Sequence, residues 1–345
     1  MNASAILAAG CAGIVLSAAA TFLLRRLALR WGITDRPSGH KSHLHPTPYL
    51  GGVAITLGTV VPAIALGAFE GPAAGILVGA VAMTLLGLID DLIPLPQLTR
   101  LAVEALAAGV AVLCGIVAPV TGGPLDVLIT LLWIVVVTNS FNLLDNMDGV
   151  LGGVTAVSAT CLAAAAFVSG QPLIGLVLVT LSPAALGFLL YNWAPARIFM
   201  GDAGSLFIGF VLACSAALLA GTAAPAGGPG AAIASLLLPT FVSTVDTGVV
   251  LLSRWRAGRP LLCGGTDHLS HRLRRLGLGT RLTAVTLAAG AAAAGTAYLA
   301  LVLGWIPPLG AAIGAAAVAC LAVLLPQRIP VYPAARPQPS LPVRR

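Results

Sequence analysis

The chain of 345 residues is 58% hydrophobic and only 8% charged, with a formal net charge of +7 and a mean hydropathy of +1.00. Soluble domains carry about 25% charged residues, so a water-soluble globule is excluded and a multi-pass membrane protein is expected. The basic excess reads as topology and attraction to anionic lipid headgroups, and no nucleic-acid partner is expected.

A spanning helix needs about 20 apolar residues, with about 17 a practical minimum. Eleven segments approach or meet that length: Ala3 to Leu24, Gly51 to Phe69, Ala73 to Ile89, Leu101 to Ala118, Val127 to Phe141, Leu151 to Val168, Pro172 to Tyr191, Gly204 to Ala220, Ala231 to Leu252, Leu282 to Leu303 and Leu309 to Leu325. The first has Arg25 and Arg26 after it rather than before it, so it reads as a retained span with the N-terminus outside, not as a cleaved signal peptide. Threaded alternately, the spans put all 18 Lys and Arg on one side, which the positive-inside rule makes the cytoplasm. The expected fold class is all-α, a transmembrane helical bundle forming a single catalytic domain over residues 1–326. A Pro- and Arg-rich tail over 327–345 is expected to be disordered and cytoplasmic. The six cysteines show no paired spacing and read as small buried hydrophobes.

Ionisable groups are costly near hydrocarbon, so their placement carries information. Eight of the 11 acids and all five histidines fall at cytoplasmic span ends or loops. A transporter would place its site near the bilayer midplane, whereas here Glu104 is the one candidate for a deep charge. An enzyme working at the cytoplasmic membrane surface is therefore expected ahead of a transporter or flippase.

Four stretches carry the chemistry. Gly87-Leu88-Ile89-Asp90-Asp91 closes the third span, and its carboxylates point about 100° apart on a helix, so one can face a reaction centre while the other holds a basic partner. A solvated helix end is the structural alternative. In the stretch from Asn139 to Gly149, Asn139, Asn142, Asp145 and Asp148 recur every three residues, which lines them along one helical face. Such a stripe could grip a diphosphate through a hard cation or hydrogen-bond a base and sugar, and a polar loop with turn residues is the structural alternative. Asn192 to Ser205 links the seventh and eighth spans: Pro195 ends one helix, Gly201 and Gly204 allow a bulky ligand to approach, and Asp202 is either an N-cap or a metal ligand. In the last long loop, His268, His271 and Arg272 can donate to phosphate, and neither a Cys pair nor a third His lies nearby to complete a zinc site.

These residues resemble the polyprenyl-phosphate N-acetylhexosamine-1-phosphate transferases of glycosyltransferase family 4. The resemblance runs from about Asp35 to Leu273, with Lys41-Ser42-His43 through Pro46-Thr47-Pro48 to Gly51-Gly52, Asp90-Asp91, Asn142 through Asp148-Gly149, Phe199-Met200-Gly201-Asp202 and Asp267-His268-Leu269-Ser270-His271-Arg272 in family order. The sequence departs from the pattern at Asn146, where Gly is usual, at Ser270, where His is common, and at His40 and Tyr49, where Arg is frequent. The resemblance implies transfer of a sugar 1-phosphate from a UDP-N-acetylhexosamine to undecaprenyl or another polyprenyl phosphate in the bacterial inner membrane, with release of UMP at the cytoplasmic face. It implies Asp90, Asp91, Asp145, Asp148 and Asp202 as catalytic residues, and Mg2+, with Mn2+ as substitute, on Asp202 and Asp145. Lys41, His43, Asn139, Asn142, Asn192, His268, His271 and Arg272 are implied in substrate binding. The histidine segment lacks a His-His-His-Phe run, which favours N-acetylglucosamine over the muramoyl-pentapeptide donor. A homodimer is kept open.

Overall fold

The computed structural model describes residues 3–35, 47–261 and 265–332. Lys41 and His43 lie outside the described residues. In chain order the elements are α1 (Ala3–Trp31), β1 (Thr34–Asp35), β2 (Thr47–Pro48), α2 (Gly51–Ala65), α3 (Gly71–Leu92), α4 (Gln97–Leu113), α5 (Leu125–Leu144), α6 (Val150–Val168), α7 (Pro172–Asn192), α8 (Asp202–Leu237), α9 (Phe241–Arg256), α10 (Leu269–Arg275), α11 (Thr280–Val302), α12 (Pro308–Leu324) and a 3-10 turn (Leu325–Arg328). The two short strands pair antiparallel, Thr34 with Pro48 and Asp35 with Thr47.

Eight helices among the described residues are long and apolar enough to cross a membrane, and the pair Gly228–Leu237 with Phe241–Arg256, bent by 78°, makes up to nine. The difference from eleven lies in α2 and α4, of 15 and 17 residues, which occupy the expected second and fourth segments but stop short of the usual length of about 20. The bend follows from Pro239, which has no N–H to continue a helical ladder.

The first part of α8 is the axis of the bundle. Over Asp202–Thr222, 94% of the best apolar window is buried inside the protein, against 28% for α1 and 11% for the last span. The whole of α8 packs against α2, α3, α5 and α12. Small residues on both sides make this possible: Gly209 lies so close to α5 that an added Cβ would sit 2.8 Å from Thr138 Cα and carbonyl oxygen.

Of the segment expected as a tail, residues 327–332 are described, and with Pro326 they are bonded to the bundle; 333–345 lie outside the described residues. The carbonyls of Pro326 and Ile329 accept from Arg272 Nη1 at 2.5 and 2.8 Å, and Tyr332 Oη donates to Asp267 at 2.7 Å.

Candidate active site

The start of α8 is fixed by backbone proximity. Gly201, its N-cap, has φ 72°, a left-handed conformation natural to glycine. A Cβ on Gly52 would lie 2.1 Å from Gly204 N, and one on Gly87 would lie 2.3 Å from the Asp202 carbonyl, so α2 and α3 touch α8 main chain to main chain. The loop before α8 is tied to the start of α2: Gly51 N donates to Phe199 O at 3.1 Å and Gly52 N to Met200 O at 2.9 Å. Two motifs 150 residues apart thus form one surface.

The helix end is capped, but not by Asp202. Asp91 accepts from the backbone N–H groups of Asp202 at 3.0 Å and Ala203 at 3.2 Å, so the first amides of α8 are taken by a carboxylate from α3. Asp202 instead faces sideways. Its Oδ1 accepts from Asn142 Nδ2 at 2.9 Å, and its Oδ2 lies 3.0 Å from Arg100 Nη1. The same Arg100 nitrogen is 2.6 Å from Asp90 Oδ2, while Asp90 Oδ1 accepts from Leu95 N at 2.7 Å. Asn142 also donates to Ser205 at 2.9 Å. One turn beyond Arg100, the buried Glu104 accepts from Asn139 Nδ2 and leaves its Oε1 unpartnered.

The stripe of three-spaced residues holds as a helix only to Leu144. Asp145 is the C-cap, with φ −77° and ψ 53°, and Gly149, at φ 75°, turns the chain into α6. The four members therefore diverge: Asn139 meets α4, Asn142 meets α8, and Asp148 Oδ2 accepts from Ala196 N at 2.9 Å. Asp145 makes no side-chain hydrogen bond or ion pair among the described residues. Burial, followed by repulsion from Asp202, Asp91 and Asp148, pushes its carboxyl up to about 7. Asn192 is a linker in the same region, accepting from Gly149 N at 2.9 Å and donating to Ile198 O at 3.0 Å.

The histidine helix α10 comes to this acidic segment, because Ser270 Oγ donates to Asn146 Oδ1. His268 Nδ1 is 2.8 Å from Asp246 Oδ2, and the His268 and His271 rings lie 5.7 Å apart. Burial and the neighbouring His268 lower His271 to about 4. Arg272 is 1% exposed; besides the carbonyls of Pro326 and Ile329, it donates to Ser253 Oγ at 2.6 Å and Asp267 O at 3.2 Å. Its guanidinium thus ties α9 to the segment just after α12. Asp267 is paired bidentately with Arg254 at 2.8 and 3.0 Å. Burial acts upward on Asp267, but the bonds from Arg254 and Tyr332 outweigh it and hold the carboxyl below its usual range.

The structure thus joins Asp90, Asp91, Asn142 and Asp202 through direct bonds or the shared Arg100, and sets Asp145 among the charges of Asp91, Asp148 and Asp202. Asn139 belongs to the neighbouring Glu104 pair. Sequence reasoning gave no site role to Arg100, which reads as a topology charge, or to Asp246, which it counted only among the acids at cytoplasmic span ends or loops. The one signal for Arg100 was its place just past the Asp90-Asp91 pair.

A profile described as glycosyl transferase family 4 matches residues 73–220. A putative glycosyltransferase of Streptomyces coelicolor is 40% identical over 335 residues, covering 94% of this chain and 77% of that protein. A probable undecaprenyl-phosphate N-acetylglucosaminyl 1-phosphate transferase of Bacillus subtilis is 30% identical, covering 77% and 76%. A decaprenyl-phosphate N-acetylglucosaminephosphotransferase of Mycobacterium tuberculosis is 32% identical, covering 78% and 75%.

Proposed function

The chain belongs to glycosyl transferase family 4, and on that premise we propose that it transfers N-acetylglucosamine 1-phosphate from UDP-N-acetylglucosamine to undecaprenyl phosphate, releasing UMP. The relatives named for this chemistry support the reaction class. The single structural observation that carries the reading is the acidic cluster, in which Asp145 has no counter-charge among the described residues and Asp90 and Asp202 share the Arg100 guanidinium. Such a cluster suits a reaction between two phosphates only when a cation accompanies them.

Among the described residues no group of three or more His, Cys, Asp or Glu side chains is arranged to hold a metal ion. Mg2+ is commonly bound through one or two carboxylates plus substrate phosphates and water, and the carboxylate of Asp145, unbonded among the described residues and lying near the charge of Asp202, fits that habit. Mg2+ bound there supplies neutralisation of the charge that builds on the diphosphate oxygens. The protein's own groups do the rest. Arg100 offsets the carboxylates facing the diphosphate, and Asp91 keeps Asp202 in place by holding the start of α8. Arg272 acts as a positioning residue for α10 rather than through a phosphate contact.

In the transfer, an oxygen of the lipid phosphate forms a bond to the sugar-bearing phosphorus as the bond to UMP breaks, and UMP leaves with the electron pair. A phosphate monoester has a second pKa near 6, so the acceptor oxygen is already anionic at neutral pH and no side chain has to take its proton. The muramoyl-pentapeptide alternative is the weaker one. The active face is cytoplasmic in this reading, because the arginines lie with the aspartates. The test is incubation of the purified chain with a panel of UDP-sugars, Mg2+ and undecaprenyl phosphate, with UMP measured and the lipid product weighed by mass spectrometry. A product of sugar 1-phosphate mass on the lipid is expected with UDP-N-acetylglucosamine. Absence of UMP from every UDP-sugar would overturn the reaction.

A further inference from the structure

The histidine helix is fastened by a residue outside every motif. Asp246, in the middle of α9, is 0% exposed and accepts two hydrogen bonds, from His268 Nδ1 at 2.8 Å and from the Leu269 backbone N–H at 2.6 Å. An ionised carboxylate only accepts, so this pairing puts a proton on Nδ1 and leaves Nε2 on the far side of the ring. His268 is itself 4% exposed, and its Nε2 makes no hydrogen bond among the described residues. A nearly buried imidazole with one nitrogen fixed and the other unpartnered is an unfinished hydrogen-bonding group that a ligand would complete. The neighbouring Asp267 does not compete for it, being held by Arg254 and Tyr332. Ser270, two residues on, joins the same helix to Asn146, next in sequence to Asp145, so α10 is tied to the acidic segment.

We propose that Asp246 is a positioning residue for phosphate recognition: by holding His268 Nδ1–H and Leu269 N–H, it aims His268 Nε2 as a donor to a phosphate oxygen of substrate. This rests on the reaction read above. A proton on Nε2 makes an imidazolium whose charge the buried carboxylate offsets, and the resulting bond to phosphate is charge-assisted. The phosphate belongs either to the nucleoside diphosphate of the donor or to the monoester of the lipid acceptor, which share this chemistry.

The test compares the full chain in detergent with Asp246→Asn, Asp246→Glu, His268→Gln and the Asp246→Asn/His268→Gln double variant. Each of the two single losses should lower kcat/KM by about tenfold to hundredfold, as loss of a carboxylate behind a working histidine typically does. The double variant should be no worse than His268→Gln, because the two residues act as one unit. Asp246→Glu keeps the carboxylate and should recover part of the loss. A rise in KM for the UDP-sugar assigns the donor phosphate, and a rise for polyprenyl phosphate assigns the acceptor. Multiplicative losses in the double variant, or wild-type kcat/KM in Asp246→Asn, would overturn the proposal. Direct titrations of UDP and of undecaprenyl phosphate need no turnover. Weakening of one of them in both variants supports the proposal even where no UDP-sugar yields UMP, the result that sinks the reaction alone, and unchanged affinity for both ligands overturns it.

Discussion

Asp145 and Asp148 come from one short segment, yet their surroundings assign them different work. Asp148 holds the Ala196 amide, whereas Asp145 holds nothing among the described residues and sits where burial and three like charges push it up to about 7. Asp145→Asn therefore removes charge without removing a structural bond. UMP release should fall by about a hundredfold to a thousandfold, the usual loss when one electrostatic group of a reaction centre is deleted, while the melting temperature stays level or rises. A matching loss of melting temperature would mean that Asp145 is structural. His271 supports a second prediction, because burial and His268 lower it to about 4 from its ordinary 6.5. Between those values the unfolded chain binds more protons than the folded one, so stability rises with pH across that window and is lost on acidification through it. Melting temperatures at pH 7 and 4.5 should differ less in His271→Gln than in the parent. At this scale the sequence exposed the Asp and Asn residues, because polar groups beside apolar spans stand out. It hid Arg100, whose partner Asp90 is ten residues back across Pro94 and Pro96, a spacing that no helical period reveals.

Among the elements, α8 sets the geometry on which the carboxylates depend. Gly52 meets Gly204 and Gly87 meets Asp202 backbone to backbone, so neither neighbour can yield by rotating a side chain. Gly52→Ala should destabilise the protein by about 1–3 kcal/mol or more, the range for overpacking a close-fitting interior, and should depress turnover with it. Thermal unfolding in detergent checks this, and an unchanged midpoint would contradict so tight a crossing. Hydropathy located the helices well because a lipid-facing helix must be apolar along its length. It did not reveal the 78° break between Gly228–Leu237 and α9, since the residues flanking Pro239 are as apolar as an unbroken span. Nor did it separate the short α2 and α4 from full-length spans, because their loops are themselves apolar.

For the molecule as a whole, the meeting of α3, α5, α7, α8 and α10 at one end agrees with the one-sided distribution of Lys and Arg read from the sequence. If that end faces the cytoplasm, a cysteine at exposed position 256 in a cysteine-free background should react with an impermeant thiol reagent only after cells are opened. One at exposed position 70 should react in intact cells. Labelling of position 256 in intact cells would invert the topology.

The grip of Arg272 on the turn after α12 carries a consequence for biosynthesis. The Arg272 guanidinium reaches Pro326 O, 54 residues downstream, and Ile329 O beyond it. Chains emerge N-terminus first, so α10 is synthesised well before the acceptors that satisfy its buried arginine. The acidic face can be threaded early, but the histidine side of it is finished only when α11 and α12 are in place and the last turn folds back. A premature stop before Pro326 would leave every aspartate present and a buried guanidinium short of acceptors, a serious penalty in an interior. Synthesis through Ile329 is therefore a checkpoint for the acidic face, because the last acceptors of the Arg272 guanidinium lie at Pro326 and Ile329.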